Sequence, residues 1–302
     1  MPALSSPPPG GRAEGPALSS RPRGGRVEGI RVAWFATARG QTSGKLLAAA
    51  LDAINAGTLD AQIAVVFCNR DPGEDTNTDA FQAQVRAAGL HLVTLSSRDF
   101  RRRAGGDVVR KGGALPDWRR EYDREIMRLL APYEFDIGVL AGYMLIFCEE
   151  AAARWNLLNL HPAAPGGPAG VWQDVIWELI AQRAERGGVM MHLATPVLDE
   201  GPVVTYCTYP VRGGNIDALW ADVETRGLDP ARAAEGEDLP LFQEIRRRGV
   251  LREVPLVVET LRAFADGRLR IVDKRPVDAA GAPIAGYDLS DEIERAVAAA
   301  SG

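Results

Sequence analysis

Asn159 and His161 lie two residues apart in the run Asn159-Leu160-His161-Pro162, so on a strand both side chains point to one face. Pro162 lacks an N–H, stops the ladder there and sets the direction of exit. An amide and an imidazole on one face suit acyl transfer. The amide can donate a hydrogen bond to a developing oxyanion. The imidazole can donate as well, or move a proton near neutral pH. Further on, Asp199 stands in a Gly/Pro-bounded turn, Leu198-Asp199-Glu200-Gly201-Pro202, where a carboxylate can orient the histidine or take up an amine proton. No serine or cysteine sits at a nucleophile elbow, so direct attack by an external amine fits better than a covalent enzyme intermediate. On spacing alone the same residues are also ordinary turn formers, since Asn, Asp and His-Pro are common where strands end. His192 is either part of this group or a packed strand histidine.

These residues need elements to hold them. Short apolar runs at 31–37, 62–69, 90–95, 136–141 and 156–160 alternate with helical patterns at 45–55, 78–88 and 118–130. Continuous Val/Ile/Leu strands alternating with helices predict a Rossmann-like α/β fold, a mostly parallel sheet with helices on both faces. Its ligands should gather at the carboxyl ends of the strands. A helix is expected over 171–186. Two strands close in sequence, 189–196 and 202–211, predict an antiparallel edge pair in the C-terminal half. Helices follow near 217–224 and over 240–265. The charged stretch 226–238 reads as a surface insertion, 268–272 as one more short strand, and 291–300 as a loose helix.

Composition narrows the classes of partner. With 35 Lys and Arg against 40 Asp and Glu, the net charge is −5, and nothing favours nucleic acid, which calls for a basic face. The runs Arg101-Arg102-Arg103 and Arg246-Arg247-Arg248 read as solvated faces or helix ends. Cys68, Cys148 and Cys207 are far apart and form no Cys-x-x-Cys pair, so neither a disulfide framework nor a zinc site is expected. No metal is implied. No apolar run approaches the roughly 18 residues that span a bilayer, so no membrane partner is expected. The N-terminus lacks the apolar centre of a secretory signal, and the expectation is a cytoplasmic protein. The first 29 residues are a tandem repeat, PALSSPPPGGRAEG followed by PALSSRPRGGRVEG, too poor in large apolar groups to offset the entropy of ordering. The expected organisation is a disordered extension over 1–29, one catalytic domain over 30–273 and a tail over 274–302.

Four motifs, LAGYM at 140–144, NLHP at 159–162, LDEGPV at 198–203 and FADGRL at 264–269, resemble those of the folate-dependent formyltransferase family in order and separation, glycinamide ribonucleotide formyltransferases above all. The resemblance covers about 30–273. It implies transfer of a formyl group from 10-formyltetrahydrofolate, as formyl-donor cosubstrate, to a small-molecule primary amine. It places the catalytic trio on Asn159, His161 and Asp199: the first two stabilise the tetrahedral oxyanion and Asp199 helps move the proton. It places the folate pocket on Tyr143, Met144, Leu145, Ile146 and Phe147, with Val197, Leu198, Glu200 and Gly201 as the facing wall. An apolar slot with backbone hydrogen bonds is what a flat pterin requires.

The acceptor side departs from the family. The first loop, which in the family holds a substrate phosphate on backbone amides at a helix start, is longer here. Gly40, Thr42, Ser43, Gly44 and Lys45 are its candidate cradle, and Pro162 the candidate on the other side of the acceptor. The alternative for Thr42 or Ser43 is a simple helix cap. The loop 163–170, rich in Gly and Pro, replaces a Ser-Leu-Leu-Pro type segment. The family's acidic ribose-binding residue has no clear counterpart before Pro255, with Glu244 a weak candidate. Glycinamide ribonucleotide is the first acceptor to consider. Another small or sugar-nucleotide amine, water as in a formyltetrahydrofolate hydrolase, and a non-catalytic folate or nucleotide binder are the alternatives.

Overall fold

The computed structural model describes residues 13–14, 29–108, 115–197 and 199–301. A nine-stranded sheet runs in the order β1-β4-β3-β2-β5-β6-β7-β8-β11. Its centre is parallel: β4 (Leu92–Thr94), β3 (Ala61–Cys68), β2 (Ile30–Ala36), β5 (Ile137–Leu140) and β6 (Leu157–His161). β7 (Arg186–Leu193) then pairs antiparallel with β6, and β8 (Val203–Pro210) antiparallel with β7. The expected parallel α/β sheet with an antiparallel pair in the C-terminal half is therefore the observed architecture.

Alternation along the strands divides the core into two layers. Val32, Trp34 and Ala36 of β2 face one layer, built with α1 (Thr42–Asn55), α2 (Thr76–Ala87), α6 (Trp172–Ala181), α7 (Ile216–Arg226) and α9 (Pro240–Ala265). Ala33 and Phe35 face the other, closed by α4 (Asp117–Leu130) and α5 (Glu149–Arg154). Both strand faces are covered, which is why these strands read as unbroken apolar runs.

Several expectations are corrected. The helix expected over 171–186 ends at Ala181, turns through Arg183 at φ +51°, and gives way to β7 at Arg186. The charged stretch 226–238, expected as a surface insertion, is largely exposed and carries α8 (Leu228–Glu235) and a 3₁₀ turn. A short helix, α3 (Ser97–Arg103), capped by the Ser96 hydroxyl, was not foreseen, and Arg101, Arg102 and Arg103 form its last turn. The strand expected near 268–272, β9 (Leu269–Val272), pairs among the described residues only with β10 (Arg275–Asp278), through a two-residue turn at Asp273 and Lys274 with positive φ.

Residues 274–301, expected as a tail ending in a loose helix, pack onto the domain. β11 (Tyr287–Asp288) joins β8 in parallel, and α10 (Ser290–Ser301) follows with Ile293 fully buried and Glu294 ion-paired to Arg252 at 2.6 Å. Most of the repeat over 1–29 lies outside the described residues. Where disorder was expected, Ala13–Glu14 forms β1, pairing antiparallel with Leu92 and Val93 at the sheet edge. Among the described residues no helix is long and apolar enough to cross a membrane.

Candidate active site

The carboxyl ends of β5 and β6 open into one cavity of about 440 Å³. The segment leaving β5 forms one wall. Gly142 has φ +71°, and a Cβ there would stand 2.8 Å from the Ser43 hydroxyl, so the turn calls for glycine. The Gly142 carbonyl accepts from the Thr37 N–H, and the Met144 N–H donates to the Thr37 hydroxyl, tying this segment to the end of β2. Tyr143 and Phe147 turn their rings into the core, stacked at 4.9 Å, and burial pushes the Tyr143 hydroxyl pKa well up. Met144 is largely exposed at the cavity mouth. All five residues from Tyr143 to Phe147 line the cavity, together with Ala194, Thr195 and Val197 across from them.

Asn159, His161, His192 and Asp199 line the floor. The register pairs Asn159 with His192 across β6 and β7. His192 Nδ1 lies 3.0 Å from the Leu193 carbonyl, which can only accept, so Nδ1 carries the proton. In the neutral ring Nε2 then accepts from Asn159 Nδ2 at 3.0 Å. The remaining Asn159 N–H is left for another acceptor. By the same reasoning His161 Nε2 donates to the Pro168 carbonyl at 2.9 Å. Its Nδ1 faces Asp199 Oδ2 at 3.6 Å, while Asp199 Oδ1 stands 3.5 Å from His192 Nε2. Asp199 thus sits between two imidazoles and also accepts the Gly170 N–H at 3.1 Å. Burial alone would raise its pKa. The neighbouring imidazoles of His192 and His161 and the Gly170 amide outweigh that and hold the carboxyl below its usual range.

The turn carrying Asp199 is tightly built. Asp199 itself has φ +57°, a region that Asp and Asn tolerate better than most residues. A Cβ on Gly201 would lie 1.6 Å from the Leu193 carbonyl oxygen, so Gly201 is required by close backbone approach. Glu200 and Gly201 do not line the cavity. Leu198 lies outside the described residues.

The opposite wall is formed by Thr42 and Leu46 of α1, Pro162, the segment Gly170 to Trp172, and two side chains of α9, Arg246 and Glu253. Arg246 stacks over the Trp172 ring at 4.5 Å and binds Glu253 at 2.6 Å. Both were missed from sequence. Arg246 read as part of a solvated run, and the signal that could have found the pair is their i,i+7 spacing, two turns apart on one helix face. The weak candidate Glu244 is committed elsewhere: Arg247 and Arg248 hold it, pulling its pKa down to about 2, and it does not line the cavity.

Of the candidate cradle Gly40, Thr42, Ser43, Gly44 and Lys45, only Thr42 lines the cavity. Ser43 is buried and donates to the Ala141 carbonyl at 2.7 Å. The simple cap is not observed either: Gln41 is the N-cap residue and its side chain makes no capping bond. The first-turn N–H groups of α1 therefore remain available to an anion, with no acidic residue in that turn. Among the described residues no group of three or more His, Cys, Asp or Glu is placed to hold a metal ion.

Residues 30–218 match the family model described as formyl transferase. Phosphoribosylglycinamide formyltransferase of Escherichia coli K12 is 28% identical over 188 residues, spanning 61% of this chain and 77% of that protein. Among solved structures, the phosphoribosylglycinamide formyltransferase of Coxiella burnetii aligns at TM-score 0.61 and 17% identity, over 86% of this chain and 99% of that one. A formyltetrahydrofolate deformylase of Pseudomonas syringae aligns at TM-score 0.54 and 20% identity, over 83% of this chain and 66% of that one. At such identities these structural likenesses speak to the fold. The family match covers more than half of the sequence, and the chain belongs to the folate-dependent formyl transferase family and is a formyltransferase.

Proposed function

We propose that this enzyme transfers the formyl group of 10-formyltetrahydrofolate to a primary amine, with glycinamide ribonucleotide the first acceptor to test. The observation that carries this reading is the meeting of Asn159, His161 and Asp199 in one cavity, beside an apolar wall edged with backbone groups. In the proposed reaction the amine nitrogen bonds to the formyl carbon and the carbonyl electrons move onto oxygen. The free Asn159 N–H stabilises that oxyanion. His161, protonated at Nδ1 too, adds positive charge beside it. Asp199 accepts the amine proton, directly or through water. The bond from the formyl carbon to the donor nitrogen then breaks, and that nitrogen takes up a proton as the carbonyl reforms.

The acceptor has support of a different kind. The uncapped N-terminus of α1 suits a phosphate. Glu253 and Arg246 offer a hydrogen-bond acceptor and a donor to a polar body lying between that phosphate and the reacting amine. The decisive assay follows donor consumption by absorbance across a panel of amines. Saturable turnover with glycinamide ribonucleotide at an ordinary enzymatic rate is the expected result. Turnover with a different amine only would replace the acceptor, and consumption without any amine would make the enzyme a hydrolase.

A further inference from the structure

α4 holds a fully buried ion pair, Arg119 to Asp123 at 3.0 Å, one turn apart on the same face. An i,i+4 pair of this kind is normally solvated, and taking both charges out of water costs several kcal/mol per ion. Stability is therefore a poor explanation for it. Its contacts suggest another. Arg119 Nη2 donates to the Ile146 carbonyl at 2.7 Å, and Asp123 Oδ2 accepts the Cys148 N–H at 2.7 Å. The two charges thus bond to Ile146 and Cys148, two residues apart in the segment whose front lines the cavity. That segment has no strand partner of its own. Its first half is tied to Thr37, and its second half is held by this pair. Cys148 is also the residue from which α5 starts, so the bond to its N–H sets where the irregular segment ends.

The pair is itself held in place. The guanidinium lies 5.4 Å from the Trp118 ring centre and 5.1 Å from that of Tyr122, whose hydroxyl donates to the Leu95 carbonyl at 2.6 Å. Arg119 Nη1 and the Tyr143 hydroxyl are buried with no hydrogen-bond partner among the described residues, so the back of this wall is polar where apolar packing would have been cheaper. We propose that Arg119 and Asp123 are positioning residues for the formyl donor, fixing the Ile146–Cys148 backbone from behind so that the cavity face is pre-formed for a flat ring. This inference rests on the proposed folate pocket.

The test replaces both charges together, Arg119→Met with Asp123→Leu, because an apolar pair of similar volume often preserves or raises stability where a single replacement strands a buried charge. The double variant is expected to keep a melting temperature near wild type. Its KM for 10-formyltetrahydrofolate should rise about tenfold or more, the loss of two charge-assisted tethers. The acceptor KM and the kcat at saturating donor should stay within about threefold. Hydrogen exchange at 143–148 should quicken while that of β2 is unchanged. If the double variant does not fold, Asp123→Asn assayed well below its melting temperature gives the same donor-to-acceptor comparison. A wild-type donor KM in a folded variant overturns the inference. If the wild-type enzyme shows no saturable use of the donor, the pocket assignment fails and takes the inference with it.

Discussion

Asp199→Asn isolates the charge of the carboxylate from its shape. Asp199 has φ +57°, a conformation that Asn adopts readily, and the Asn oxygen can still accept the Gly170 N–H. Asp199→Ala would add backbone strain and leave that N–H unpaired, mixing three effects in one number. What Asn removes is the field at two imidazoles, 3.6 Å from His161 Nδ1 and 3.5 Å from His192 Nε2. At an effective dielectric of about 20, a unit charge at such distances interacts by roughly 4–5 kcal/mol. If about half of that is realised as charge develops in the transition state, kcat falls about fiftyfold; if all of it is, the fall is about three-thousandfold. The variant also loses its proton acceptor, so the larger figure is the closer expectation. The donor KM should move little, because the donor wall does not depend on this charge. Steady-state kinetics with both substrates varied, plus a melting curve to show the fold intact, gives the answer. A folded Asp199→Asn enzyme within about fivefold of wild-type kcat would refute the assignment of Asp199 to the reacting centre.

The same substitution carries a pH signature. The folded pKa of Asp199 lies below its ordinary value, so its contribution to stability is present above about pH 4 and is lost as pH falls through the lowered pKa. The difference in melting temperature between wild type and Asp199→Asn should be present near neutral pH and shrink as pH falls below about 4 and through the lowered pKa; a constant difference would show that the charge is not its source. Gly201→Ala should cost about 2–3 kcal/mol, since its Cβ meets a backbone oxygen that cannot swing aside, and should lower the melting temperature by several degrees. An unchanged melting temperature would mean that the turn relaxes freely. Glu253→Gln should raise the acceptor KM about tenfold and leave the donor KM alone, with two-substrate kinetics as the readout. Equal effects on both would place Glu253 in the donor site.

What could be read in advance follows from how far apart the cooperating residues lie in the chain. Asn159 and His161 share a face because a strand has period two, and two residues suffice to see it. The sheet class was likewise legible, because strands covered on both sides must be apolar throughout. His192 was ambiguous for a physical reason: its role depends on the β6–β7 register that sets it opposite Asn159, and a one-residue slip would have turned it to the other layer. Gly201 read as pocket wall, yet its small size serves the approach to Leu193, a contact between separate segments. Arg246 and Glu253 were hidden because α9 reaches the cavity only through its packing on the sheet, and a charged run on a helix is by itself equally consistent with a wet face. The proposed donor side and trio come from β5, β6 and the turn after β7, elements whose order the motifs already marked. The proposed acceptor side draws on α1, the loop after His161 and α9, three segments distant in the chain. On the proposed reading, the choice of amine rests on a tertiary contact, Arg246 on Trp172 with Glu253 bound to it, and substitutions there should change which amine is used before they change whether formyl transfer occurs.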